Sequence, residues 1–234
     1  IIMNKILYLN FSSWMHGSLG SIIHFNEKNI LKDEVSDMKF GTSVQLGLND
    51  FKFLDVVKTE MPIYVSPKKQ SDICSHFDSL PIANDSVDLI LIPHLLEFIK
   101  DPQTLIKEVL RILRPGGHLI LMIFNPISLW GMKQFFLNQK RILINNSISL
   151  HQLKDWLLLL DFEILFGRMY LYEIPFENNE LRRKFYFLEK IIERWFPSFC
   201  GSFLLHCRKD VSAMNIMKPE WNSIDKKYLR FFPR

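Results

Sequence analysis

The chain has 234 residues, 48% of them apolar and 23% charged, which suits one globular domain with a sizeable core. Cys74, Cys200 and Cys207 have no metal-type spacing, and so sparse and odd a set argues against a secreted disulfide framework and points to a reducing, cytoplasmic setting. From Arg208 onward seven bases face three acids; taking these from totals of 29 and 25 leaves 22 and 22, so the net charge of +4 sits in the tail and the body lacks a nucleic-acid binder's basic face.

Residues 1–40 contain helix-like pieces without strand alternation, with Asn26 or Asn29 able to cap a helix through DEVSDM; this stretch is expected to be a helical N-terminal arm. Its start, IIMNK, lacks the apolar centre and cleavage site of a signal peptide. Thr42 to Leu48 and Pro62 to Val65 are short apolar runs bounded by glycine and proline, and both predict strands. DSVDLILIP, Asp85 to Pro93, is continuously apolar, as a parallel strand buried on both faces must be.

Asp101 then offers a cap and Pro102 a first helical residue. Leu105, Val109, Ile112 and Leu113 form one apolar stripe, and Pro115, Gly116 and Gly117 end the helix. His118 to Phe124 is the next strand, which completes the crossover of a parallel sheet. Arg111 and Lys107, four apart, read as solvated. Asn125-Pro126 reads as a turn before a helix at Leu129. Further on, the pattern predicts a helix over Leu150 to Leu160, a strand over Phe162 to Tyr172, a charged helix over Glu180 to Phe196 and a last strand over Ser202 to Cys207. The apolar runs Val87 to Pro93 and Trp156 to Phe166 are too short, or too interrupted by Asp161 and Glu163, to cross a bilayer, so no membrane span is expected. Neither a Ser-His-Asp order nor an HExxH or Walker loop is present, and no metal site is expected.

One segment carries chemistry. Leu80-Pro81-Ile82, Asp88, His94-Leu95-Leu96-Glu97-Phe98, Asp101-Pro102 and Arg111-Ile112-Leu113-Arg114-Pro115-Gly116-Gly117 fall in the order and spacing of class I S-adenosylmethionine-dependent methyltransferases. The likeness is to the methyltransferase type 11 branch, and it runs from Val44 to Gly131 and more faintly to Cys207. The resemblance implies a Rossmann-like α/β sheet, mostly parallel with an antiparallel end. Residues 41–208 would form it, between the arm of 1–40 and a basic tail of 209–234.

In such open sheets ligands lie beyond the carboxyl ends of the strands, and the first strand-to-helix turn is the cofactor's place. VQLGLNDF, Val44 to Phe51, occupies that turn. Gly47 lets the backbone approach a ligand and take positive φ; the family's next two glycines fall on Asn49 and Phe51. Asn tolerates the left-handed region, whereas Phe51 must either crowd the cofactor or turn away to pack. The resemblance implies that Gly47, Leu48 and Asn49 meet the methionine half of S-adenosylmethionine, Ser66 the ribose and Asp78 the adenine, with Gln45 and Pro93 also bordering the cofactor. The family's ribose-binding acid is absent, since the second strand ends near Ser66-Pro67-Lys68-Lys69, and Gln45 stands for an acid on the first strand.

His94, at the rim after the fourth strand, is the catalytic candidate, a base able to serve at neutral pH. Glu97 reads as a partner for backbone donors or a nearby base. Two functions follow: methyl transfer from S-adenosylmethionine to an unknown acceptor, which is the favoured one, or an inactive methyltransferase-fold module that binds a protein or RNA. The basic, aromatic tail offers nucleic acid a foothold, but a loosely packed terminus is the preferred reading.

Overall fold

In the computed structural model, residues 3–67, 71–77, 79–128, 130, 148–172 and 179–210 are described. The arm is a helix pair, α1 (Lys5–Met15) and α2 (Ser18–Glu34). The Asn4 side chain caps α1 by accepting the Leu7 N–H. Gly17 is the N-cap of α2. Asn26 and Asn29 therefore lie inside a helix and cap nothing, which corrects the expectation for DEVSDM: only Asp33 and Glu34 of it are helical. The two helices cross closely at Gly20, where an added Cβ would stand 2.3 Å from the Met15 Cα.

The sheet has seven strands in the order β3-β2-β1-β4-β5-β7-β6. β1 (Phe40–Leu46), β2 (Thr59–Ser66), β3 (Ile73–Cys74), β4 (Val87–Pro93) and β5 (Leu113–Phe124) run parallel to their neighbours among these five. β7 (Ser202–Lys209) is antiparallel to both β5 and β6 (Phe162–Tyr170). Every residue of β4 is buried, as its unbroken apolar run requires of a central strand. A single 3-10 turn, Phe53–Val56, connects β1 to β2.

α3 (Pro102–Ile112) begins as predicted, with Asp101 accepting the Thr104 N–H and Leu105, Ile106, Val109 and Ile112 buried beneath it. Leu113 is not helical. It adopts ψ 128° and pairs with Val87 as the first residue of β5. The proline at position 115 disfavours a helical Arg114 and so draws the chain out early. Arg111 is partly exposed and also tied down: its guanidinium donates to Glu108, Asn84 and the carbonyls of Leu80 and Ile82, pinning the loop before β4. α4 (Leu150–Leu159) and α5 (Asn179–Trp195) follow near their expected positions. Leu129 and residues 211–234 lie outside the described residues, and so do the helix expected at the one and nearly all of the tail expected in the other.

Tyr8, Phe11, Met15, Ile23 and Leu31 of the arm join Val44, Leu46, Leu95, Phe98 and Phe124 in one continuous core. The arm is thus packed on the carboxyl edge of the sheet, not appended to it.

Candidate functional site

β1 and β4 diverge at the point where the strand order reverses, and between them the chain turns at Gly47 and Leu48, both left-handed, with φ of 82° and 45°. A leucine pays for that conformation with strain of about 1–2 kcal/mol. Gln45 holds the turn from inside. Its Nε2 donates toward the carbonyls of Gly47, Leu48 and Phe51 at 3.0, 3.2 and 2.9 Å, and its Oε1 accepts the Phe53 N–H at 3.0 Å. A carboxylate has no proton to offer three carbonyls, so an amide is the residue this interior requires.

Above the turn lies the arm. The Leu48 N–H donates to the Tyr8 hydroxyl, and a Cβ on Gly47 would come within 2.8 Å of that oxygen. Ser12 donates to Asp50 at 2.9 Å. Phe51 resolves its two options by turning away to pack against the arm, buried between His16 and His24, with ring centroids 4.6 and 4.9 Å away. Asn49 is different, since both polar atoms of its side chain are buried without a hydrogen-bond partner. Burial pushes the Tyr8 phenol well above its ordinary range, so it stays neutral.

Beyond β4, His94 sits at φ 45° and is fully buried. Its Nε2 meets Glu27 Oε1 of α2 at 2.7 Å and its Nδ1 meets Glu97 Oε1 at 3.2 Å, while the ring stacks on Phe124 at 4.0 Å. Burial lowers the imidazole's pKa, but the carboxylates of Glu27 and then Glu97 outweigh it and hold it at about 9. At neutral pH the ring therefore donates from both nitrogens. Tyr170 of β6 donates to Glu27 at 2.9 Å, and the Phe124 N–H donates to Glu97 at 2.9 Å, the backbone partnership expected for that residue. Glu27 Oε2 and Glu97 Oε2 remain buried without partners.

Ser66 ends β2, buried, with its carbonyl accepting from Ser71 and Ser75. Pro93 ends β4 and is buried beside Met122 of β5. Asp78 lies outside the described residues. Gly47, Leu48, Asn49, Gln45 and His94 are brought together at one edge, and Ser66 stands at the end of the adjoining strand. Tyr8, Glu27 and Tyr170 were missed by sequence reasoning. Glu27 had a signal, because Leu19, Ile23, Ile30 and Leu31 make the buried face of α2 and an acid at position 27 falls on it. A cavity of about 300 Å³ opens beyond the end of β5, lined by Asn125, Lys154, Met169, Ser198, Cys200 and Phe203 among others. Its lining comes from β5, β7 and β6, two to four strand spacings from β1, or roughly 10–20 Å. Asn125 makes the expected turn there, accepting the Ile127 N–H.

This strand order, with its lone antiparallel β7, is that of a class I methyltransferase. The methyltransferase domain family matches residues 50–121. Among curated proteins the chain is 39% identical over 88 residues to the uncharacterized protein YafS of Escherichia coli, covering 37% of each chain. It is also 37% identical over 57 residues to a malonyl-[acyl-carrier protein] O-methyltransferase of Hahella chejuensis, covering 24% of this chain and 20% of that one. The matched stretch is thus well under half of the length of these relatives. Among solved structures, an S-adenosylmethionine-dependent methyltransferase of Thermotoga maritima superposes with a TM-score of 0.59 at 18% identity, over 87% of this chain and 100% of the other. The chain has the fold of these methyltransferases, and its residues 50–121 match the methyltransferase domain family.

The turn suits S-adenosylmethionine in its left-handed Gly47 and in the unpartnered amide of Asn49. As the arm lies, the Leu48 N–H that such a ligand would use is taken by Tyr8.

Proposed function

We propose that the chain transfers a methyl group from S-adenosylmethionine to an acceptor bound beyond the end of β5. The observation that carries this reading is the Gly47–Leu48 turn with its unpartnered Asn49, placed at the strand-order reversal of a methyltransferase domain. When bound, the cofactor supplies an electrophilic methyl group on a cationic sulfonium.

Gly47, Leu48 and Asn49 hold the methionine end, Ser66 the ribose and Asp78 the adenine, with Pro93 at the rim. Gln45 acts from beneath by shaping the turn. The negative charge that it does not supply comes from the buried cluster of Glu27, His94 and Glu97, separated from Gly47 by Leu95, whose side chain would lie 3.4 Å from a Cβ there. A carboxylate in a low-dielectric interior attracts a nearby cation far more strongly than it would in water.

The arm must shift for the ligand to enter, because Tyr8 competes for the Leu48 N–H. His94 keeps the role expected of it, base toward the acceptor, once its Nε2 proton has passed to Glu27 Oε1, 2.7 Å away, which leaves that nitrogen a lone pair for the proton the acceptor sheds. Cytoplasmic location belongs to the same reading; among the described residues no helix is long and apolar enough to cross a membrane. The alternative of an inactive module for protein or RNA is not favoured, since residues 50–121 match the methyltransferase domain family.

Calorimetric titration with S-adenosylhomocysteine tests the proposal. Saturable heat is expected, and its loss in Asn49→Ala with an unchanged melting temperature places the ligand at the turn. No heat at millimolar ligand would sink it.

A further inference from the structure

α5 lies outside the chemistry described above, and its exposed surface is not that of an ordinary solvated helix. Phe187, Ile191 and Trp195 follow one another at intervals of four and are 57%, 44% and 71% exposed, so they form a continuous apolar line on the outside of the protein. Just past the helix Phe196 is 56% exposed and packs edge-to-face on Phe199, which extends the line. Arg183, Lys184, Lys190 and Arg194 are also exposed, and each lies three or four residues from a member of that line. The helix as a whole carries Arg182, Arg183, Lys184, Lys190 and Arg194 against Glu180, Glu189 and Glu193, a surplus of 5 − 3 = 2 positive charges. Of these acids Glu180 stands in the first turn, where the helix dipole favours it, and Glu193 lies on the far side from Ile191.

We infer that α5 is an interfacial helix that seats the protein on an anionic membrane surface, with Phe187, Ile191 and Trp195 entering the headgroup region and Arg183, Lys184, Lys190 and Arg194 meeting lipid phosphates. Large apolar residues flanked by bases, on a helix of low mean hydropathy, are what a headgroup layer accommodates. A protein partner would more readily be met by an apolar patch with neutral flanks, because burying four cations against it requires matching acids. A lipid surface supplies the anions in any register. The C-terminal end of α5 leads through Phe199 to Ser198 and Cys200 at the cavity beyond β5, so the membrane would lie beside that opening. The inference does not depend on methyl transfer.

Flotation of the full chain with vesicles tests it, using phosphatidylcholine alone and phosphatidylcholine mixed with phosphatidylglycerol. The protein should float with the mixed vesicles, remain below with the neutral ones, and release as salt is raised. Arg194→Glu and Lys184→Glu should each lower the partition constant at least about fivefold, the worth of one base at such a surface. Trp195→Ser with Phe187→Ser should abolish flotation; all these positions are exposed, so folding and any S-adenosylhomocysteine binding should persist. Failure of the wild type to float with anionic vesicles overturns the inference. So does flotation that survives all four substitutions, and so does a concentration-dependent dimer, without flotation, that the Trp195 and Phe187 changes dissolve.

Discussion

Replacing Tyr8 with phenylalanine removes one oxygen from the interface between the arm and the cofactor turn. The ring keeps its edge-to-face contact with Phe98, 5.6 Å between centroids at 71°. What is lost is the acceptor for the Leu48 N–H, which becomes buried and unpaired as long as the arm stays down. Such a loss costs roughly 1–3 kcal/mol. Lifting the entire arm is far more expensive: Tyr8, Phe11, Met15 and Ile23 are all buried, and each such side chain is worth about 1.5–3 kcal/mol. The motion that admits ligand is therefore a local shift of the first turns of α1, in which the Tyr8 hydrogen bond is a large part of the barrier. Destabilising the closed arrangement by about 1.4 kcal/mol raises the competent fraction about tenfold and tightens the apparent Kd by the same factor. The melting temperature of the free protein should fall by about 3–6 °C in parallel. Calorimetry with S-adenosylhomocysteine and a thermal scan read the two changes, which oppose each other. A lower melting temperature with unchanged affinity would show Tyr8 to be packing alone, and weaker binding would make its hydroxyl a ligand contact; either refutes the competition.

Gln45→Glu should destabilise the protein by at least about 2 kcal/mol, because a carboxylate cannot donate to the Gly47, Leu48 and Phe51 carbonyls; urea denaturation measures it. Glu27→Gln should weaken binding of the cationic S-adenosylmethionine more than that of the neutral S-adenosylhomocysteine, and an unchanged ratio of the two affinities would remove the buried cluster from the electrostatics of the site. His94, faced by Glu27, Glu97 and the Tyr170 hydroxyl's partner oxygen as well as by Phe11 and Phe124, has its pKa raised to about 9. Its contribution to stability is complete below its unfolded value near 6.5 and is lost as pH rises through about 9, so denaturation midpoints should drop between about pH 6.5 and 9 in the wild type and stay level in His94→Gln.

The centre of the sheet was legible because its signals are local. Asp101 and Pro102 announce α3, the unbroken apolar run announces β4, and neither depends on a distant residue. Leu113 misled because an apolar residue fits a helical stripe and a buried strand equally well; Pro115 decided between them. The likeness to methyltransferases located the turn at Gly47 and brought His94 to the same edge. It could not reveal that Tyr8 lies on that turn or that Glu27 and Tyr170 converge on His94, because those contacts join residues 40, 67 and 143 apart in sequence through packing that no periodicity encodes. The arm's apolar stripe reads as ordinary core, and only the acid within it was out of place.

The glutamine inside the cofactor turn bears on how this architecture can drift. A bend clasped by one side chain no longer relies on successive glycines for its shape, so positions 49 and 51 were released to take an amide and an aromatic ring. Screens that search for glycine spacing would pass over chains built this way. A glutamine two places before the first glycine, at the buried end of the first strand, is the better mark to look for.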